Sequence, residues 1–203
     1  LNPAFESLEY EERKDFLEAW SAGQTGFPMV DACMRCLNET GFMNFRMRAM
    51  VVSFACFGLH LSWRFIHAPL ARVFLDYEPG IHLSQLQMQA GVIGFNTLRV
   101  YSPTKQFLDH DPEAKFVKRW VPELVDRSPA EIANSVESKI PGYAIPLVEL
   151  NQRAKDMKAR VFSIRKSQEG WRETQITLRK HGSRKPVRKP RKQKKTGQMQ
   201  FPI

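Results

Sequence analysis

The stretch that most constrains this chain is Ala49-Met-Val-Val-Ser-Phe-Ala-Cys-Phe-Gly-Leu-His-Leu-Ser-Trp63, almost wholly apolar and entered through two arginines, Arg46 and Arg48. A segment that is hydrophobic all round has no face to offer water, so it belongs at the centre of a core. Guanidinium groups on its first turns cannot follow it inside without acceptors, because an unpaired buried charge costs several kcal/mol. Asp76 and Glu78, flanking Tyr77 ahead of Pro79-Gly80, are the next acidic residues along the chain. A buried Arg48–Asp76 pair is the simplest arrangement. It reads either as a structural ion pair under the core or as part of a binding site.

At 203 residues, with 42% hydrophobic content, the chain is long enough to bury one substantial core. The net charge of +10 is unevenly placed. From Arg179 onward the chain carries ten Lys or Arg and no acid, leaving 21 residues of each sign before it. The expected division is a neutral globular body over residues 1–178 and a flexible basic tail over 179–203. Such a tail is solvated by default and would also hold a protein near nucleic acid through its phosphates. No stretch is long and apolar enough to span a membrane and no signal peptide opens the chain, so a cytoplasmic protein is expected. Three cysteines, Cys33, Cys36 and Cys56, offer no disulfide framework. Cys33-Met-Arg-Cys36 has redox spacing but lies inside a helical pattern, which favours buried structural thiols.

Residues 9–22 read as an amphipathic helix with Phe16, Leu17 and Trp20 inward, stopped by Gly23. Pro28 suits the first position of a second helix, whose inward stripe is Met29, Val30, Cys33, Met34 and Leu37 and which ends near Gly41. The central helix should then run to about Trp63. A short helix ending near Glu78 and another over 82–89 follow, with Pro69, Pro79 and Gly80 as breaks. From Ser102 the chain reads as loop until Pro112 opens a short helix carrying Phe116, Val117 and Trp120, closed by Pro122. Asp109-His110-Asp111 has metal-ligand residue types, but a capping loop explains it more simply. Residues 129–136 suggest a further short helix. Leu147, Leu150, Ala154, Met157, Val161 and Ile164 mark one face of a long one. Nothing alternates with period two, so the expected fold is all-α.

Several motifs also stand in a distinctive order: Trp20-Ser-Ala-Gly-Gln-Thr-Gly-Phe-Pro-Met-Val-Asp-Ala32, Thr40-Gly-Phe-Met-Asn-Phe-Arg-Met-Arg48, Ser53-Phe54, Trp63-Arg64, Leu75-Asp-Tyr-Glu78, Tyr101-Ser-Pro-Thr-Lys-Gln106 and Asp111-Pro-Glu-Ala-Lys-Phe-Val-Lys-Arg-Trp-Val-Pro-Glu-Leu124. Over roughly residues 17–124 the chain resembles the flavin-binding half of the photolyase and cryptochrome family. The resemblance implies a helical domain that binds FAD. In that family an α/β antenna domain and a loop around the cofactor's phosphates precede this region. The chain opens on Leu1 rather than Met, so part of a longer protein is expected; any second antenna chromophore is left open.

Carried over position by position, the resemblance implies that Arg48 and Asp76 pair beside the flavin. Glu78 would face its ring, where the family usually has Asp, and His82 would lie at N5, where photolyases often have Asn. Phe42 and Tyr77 would stand close to the cofactor. Phe45, Arg46, Met88, Arg99 and Gln106 fall at positions that approach DNA, with Arg119 as a further phosphate contact. Family members usually pass an electron to the flavin along three tryptophans. Here Trp63 matches the middle one, Tyr10 falls near the surface-most one, and Leu86 occupies the flavin-proximal place, so that chain is broken as written. Photolyases for cyclobutane dimers carry Asn and Met at the places of Phe45 and Ala49, with an aromatic at Met88; enzymes for the (6-4) lesion carry histidines at the first two. This chain has neither set.

The resemblance therefore implies a blue-light flavoprotein acting on ultraviolet-damaged DNA, or a cryptochrome-like photoreceptor without repair. A nucleic-acid scaffold that has lost flavin chemistry is a third reading. The last residues, Gln198, Met199, Phe201 and Ile203, form an apolar cluster after the basic run. They resemble the short peptides with which bacterial repair proteins bind the replication sliding clamp; packing back onto the body is the alternative.

Overall fold

The computed structural model describes residues 2–181. Ten α-helices run through them: α1 (Lys14–Ala22), α2 (Pro28–Thr40), α3 (Phe45–Ser53), α4 (Trp63–Val73), α5 (Pro79–Gln89), α6 (Pro103–His110), α7 (Lys115–Trp120), α8 (Pro129–Ala133), α9 (Leu150–Lys166) and α10 (Gln168–His181). There is no strand among the described residues, so the all-α expectation holds. The expected tail beyond residue 181, with Gln198, Met199, Phe201 and Ile203, lies outside them. No helix of the described residues is long and apolar enough to cross a membrane.

The central apolar run is buried from Ala49 onward, but not as one helix. After Ser53 it makes a single π turn, Phe54–Gly58, in which the Leu59 N–H reaches back five residues to the Phe54 carbonyl at 3.1 Å. Such a turn leaves carbonyls unpaired at its end, and a buried orphan carbonyl is costly. Arg153 of α9 supplies the donors, Nε to the Gly58 carbonyl at 2.6 Å and Nη2 to that of Leu59 at 3.3 Å. Gly58 lets α9 come this close, because a Cβ there would stand 2.7 Å from Leu150 Cδ1. His60 then turns the chain with a φ of 56°. Ser62 caps α4 by accepting the Phe65 N–H, so Trp63 opens a helix instead of closing the central one.

Other boundaries also fall away from the periodicity. The first helix starts at Lys14, not near residue 9, because the two glutamates before it are engaged elsewhere. Glu11 binds His60 Nδ1 at 3.0 Å and Arg153 at 2.8 Å, while Glu12 accepts the Ser62 hydroxyl at 2.9 Å. Pro69 does not break α4, since its missing N–H deprives only the Phe65 carbonyl and the helix continues to Val73. The stretch after Ser102 is a helix, not a loop: Ser102 caps it and Pro103 takes the first position that tolerates a missing N–H. Asp109 and His110 are the last residues of α6, not a loop, and Asp111 alone does the capping: it accepts the N–H groups of Phe116 and Val117 in α7, which opens at Lys115 and not at Pro112. Helix α10 has no counterpart in the sequence reading. Cys33 and Cys56 are buried, as expected of structural thiols, whereas Cys36 is only half-buried; burial pushes the Cys56 thiol up to about 12.

Asp31, fully buried on α2, ties the turn before that helix to the connector at 141–146. Its carboxylate accepts Thr25 N–H (2.8 Å), Thr25 Oγ (2.6 Å), Gly26 N–H (3.1 Å) and the Tyr143 hydroxyl. Burial pushes its pKa up while these donors oppose the rise. Replacing Asp31 with Ala strands two backbone N–H groups and a phenol in the core. The expected loss is about 3 kcal/mol or more in urea unfolding; a loss under about 1 kcal/mol would show that the donors find other partners.

Candidate functional site

Helices α3, α4 and α5 meet around a cleft that is open on one side. Its wall is apolar: Val51 and Val52 from α3, Leu70 from α4, Phe74 after it, and Leu86 from α5. Its polar groups sit at the rim and along one face of α5: Arg48, Asp76, Glu78, His82, Gln85 and Gln89. Residues 82, 85, 86 and 89 are three and four apart, so helical geometry alone aims them into the same space.

Arg48 and Asp76 do pair, with Arg48 Nη2 at 2.7 Å from both carboxylate oxygens. The pair is not buried under the core, as the sequence suggests, but stands at the cleft mouth, where the Asp76 side chain is 56% exposed. The first turn of α3 lies at the surface and the enclosed run begins further along, so neither entry arginine has to go inside. Arg46 is exposed. Arg48 is held by three groups: Asp76, the Met43 carbonyl at 2.7 Å from Nε, and the Phe74 ring 4.0 Å beneath its guanidinium. Glu78 caps α5 by accepting the Ile81 N–H at 2.6 Å, which turns its carboxylate to the helix start.

His82 packs among rings: Tyr77 at 5.1 Å between centroids, His67 at 5.3 Å and Phe74 at 5.9 Å. Its Nε2 is shut away from solvent without a hydrogen-bond partner, and so is Gln85 Oε1. Burial, followed by the like charges of His67 and Arg48 and against the pull of Asp76, lowers the His82 pKa from 6.5 to about 4.

Three of the residues expected at DNA meet elsewhere. Phe45, Met88 and Arg99 line a second, more open cleft with Gln89, Asn96, Thr97 and Tyr101. Phe45, 60% exposed, and Gln89 belong to both clefts, so the two adjoin. The loop that forms this wall is held by Arg165, which donates to the carbonyls of Asn96 and Gly91 at 3.0 and 3.1 Å. Gln106 is not a surface group: it is buried on α6. Phe42 lies outside the first cleft. It is 61% exposed and lines a shallow groove with Trp120 and Arg119, so it is neither core nor part of the cleft wall. Trp63 and Tyr10 pack in the core away from the cleft lining, the Tyr10 hydroxyl buried and its pKa pushed up by that burial. The cleft-lining residues that the sequence reading did not name, Leu70, Phe74, Ile81, Gln85 and Gln89, carry no local motif; helical spacing from His82 would have found the last two.

The chain belongs to the family described as the FAD-binding domain of DNA photolyase, whose model matches residues 1–163. It is 36% identical over 134 residues to a deoxyribodipyrimidine photo-lyase of Thermus thermophilus, a match covering 64% of this chain and 32% of that one. It is 35% identical over 162 residues to a cryptochrome DASH of Gloeobacter violaceus, covering 72% and 32%. The solved structure of an archaeal photolyase from Sulfolobus tokodaii with two FAD molecules superposes with a TM-score of 0.77 at 36% identity, over 80% of this chain and 38% of that one. The chain thus spans about a third of the length of the curated relatives it matches.

Two measurements test this geometry. Because Asp76 is largely exposed, Asp76→Asn should cost no more than about 1 kcal/mol in urea unfolding; a loss of several kcal/mol would mean that the pair is buried after all. Folded His82 binds its proton less readily than the unfolded chain does, so stability should fall as the pH drops from about 6.5 towards 4. His82→Gln should flatten that slope, and an unchanged slope would assign it to other groups.

Proposed function

We propose that this chain forms the flavin-holding part of a blue-light flavoprotein that acts on ultraviolet-damaged DNA. The observation that carries this reading is the junction of the two clefts at Phe45 and Gln89. An apolar-walled cleft whose rim carries the Arg48–Asp76 pair adjoins an open, arginine-bearing groove, so a bound ring system and an extruded base would come within contact distance. Base extrusion requires an apolar stacking surface, which Phe45 and Met88 supply, and Arg99 offers a phosphate contact.

The residues present fit FAD. Gln85 Oε1 is a buried polar atom that lacks a partner, and His82 stands beside it on the α5 face that lines the cleft. A flavin edge presents both donors and acceptors, while its ring needs an apolar wall such as Phe74, Leu70, Val52 and Leu86 provide. When bound, FAD supplies light absorption and one-electron transfer. Arg48, fixed by Asp76 and Phe74, places a positive charge at the rim, where it favours a reduced, anionic ring. His82, neutral near pH 7, can donate or accept at the ring edge but adds no charge there.

The photoreceptor reading has one observation in its favour. Leu86, buried in the cleft wall, stands where the family usually places its flavin-proximal tryptophan, so electrons have no aromatic relay at that place. The similar proteins bear both names. The two functions separate in one assay. The purified protein is supplied with FAD, checked for bound flavin absorbance, and illuminated with oligonucleotides carrying either a cyclobutane dimer or a (6-4) lesion. The repair reading expects light-dependent loss of one lesion. Bound flavin with both lesions intact would favour the photoreceptor, and no bound flavin would defeat both.

A further inference from the structure

His67, on α4, plays no part in the cleft lining, yet its ring stands 5.3 Å from that of His82, with the Tyr77 ring 6.1 Å away on a third side. His67 Nδ1 shares the state of His82 Nε2, buried and without a hydrogen-bond partner. Leaving such atoms unpaired carries a desolvation cost that two apolar side chains of similar size would avoid, so packing does not explain the pair. At this separation a modest ring rotation brings a nitrogen of each imidazole within hydrogen-bond distance of the other. His67 Nε2 and His82 Nδ1 are not in that buried, unpartnered state. Each ring therefore has one nitrogen that is buried without a partner and one that is not.

We propose that His67 and His82 form a two-imidazole proton relay into the cleft. His67 Nε2 takes a proton from outside, and the proton on its Nδ1 passes to His82 Nε2. His82 then releases its Nδ1 proton to an acceptor in the cleft. One proton enters for each that leaves, both rings end as the opposite neutral tautomer, and return of the tautomers resets the pair. The charged and titratable groups around it are Arg48 from α3, Asp76 and Tyr77 from the turn after α4, and Glu78 at the start of α5, whose carboxylate is engaged by Ile81. The depressed affinity of His82 for a proton suits a carrier that hands protons on and does not store charge. The pairing of the rings stands on geometry; its use rests on the reading of the cleft as a flavin site, where a reduced ring is the acceptor. His67 is then a positioning and proton-supplying residue, distinct from the one at the ring edge.

The test has two arms. Ring 15N spectra of the protein without FAD, across pH 4 to 8, report the tautomer and titration of His82 in the parent, His67→Phe and His67→Gln. The relay expects His82 to change tautomer balance and midpoint in both variants; identical His82 spectra in all three would overturn it. In FAD-loaded protein, the proton-dependent part of photoreduction should slow roughly a hundredfold in His67→Phe and recover partly with added imidazole. A folded variant with an unchanged rate, or no recovery, would also overturn it. Should His67→Phe fail to fold, His67→Gln carries both arms. A protein that takes up no FAD but shows coupled rings would defeat the flavin reading while leaving the pair intact.

Discussion

The capping of one broken helix by one arginine holds the cleft in place. The run from Ala49 must be buried on every side, yet it has to turn back before Trp63 for α4 and α5 to fold against α3. It turns through a π segment, and Arg153 takes over the carbonyls that the segment leaves unpaired. Glu11 then neutralises Arg153 and orients His60, whose other nitrogen meets the Arg153 carbonyl at 3.0 Å. The half-buried guanidinium is tolerated here because Nε and Nη2 find acceptors in two carbonyls and the Glu11 carboxylate. The same contacts set where α4 begins, and hence where Phe74, Asp76 and α5 stand against α3.

The cleft divides its chemistry between its walls. Helix α3 offers aliphatic surface and Arg48. The turn after α4 offers a carboxylate and a ring that together fix Arg48, and α5 offers one polar face. Interactions at the half-exposed rim are individually small, whereas the buried polar atoms on α5 and α4 remain without partners in the described residues. Gln85 Oε1, which faces the cleft, gives up stability for the ability to receive a group that satisfies it, whereas the unpaired nitrogens of His67 and His82 lie in rings packed against each other. The aromatic packing around His82 excludes water from those atoms and keeps the ring uncharged at neutral pH.

Much of the fold was legible in the sequence. Gly23 and Gly41 end α1 and α2 with left-handed backbone at φ 66° and 69°, Pro28 opens α2, and the stripe from Leu150 to Ile164 lies on α9. Two of the misjudged boundaries, the start of α1 and the end of the central helix, share a cause: distant side chains decide them. Glu11 and Glu12 leave the helical pattern for His60, Arg153 and Ser62, and the π turn exists because α9 supports it. The Arg48–Asp76 partnership followed from charge and order along the chain, but its exposure did not, since periodicity cannot tell which end of an apolar helix meets the surface. His67 was invisible for the same reason. Its significance lies in the ring packed beside it, fifteen residues further along the chain.

The central claim is that FAD occupies the cleft between α3, α4 and α5. Amide hydrogen exchange with and without FAD tests it most directly, because the two outcomes fall on different segments. Binding there predicts slowed exchange confined to residues 45–52 and 74–89, including the first turns of α3 and the whole of α5. Protection centred instead on the groove at Phe42 and Trp120, or spread evenly over the molecule, would contradict the account.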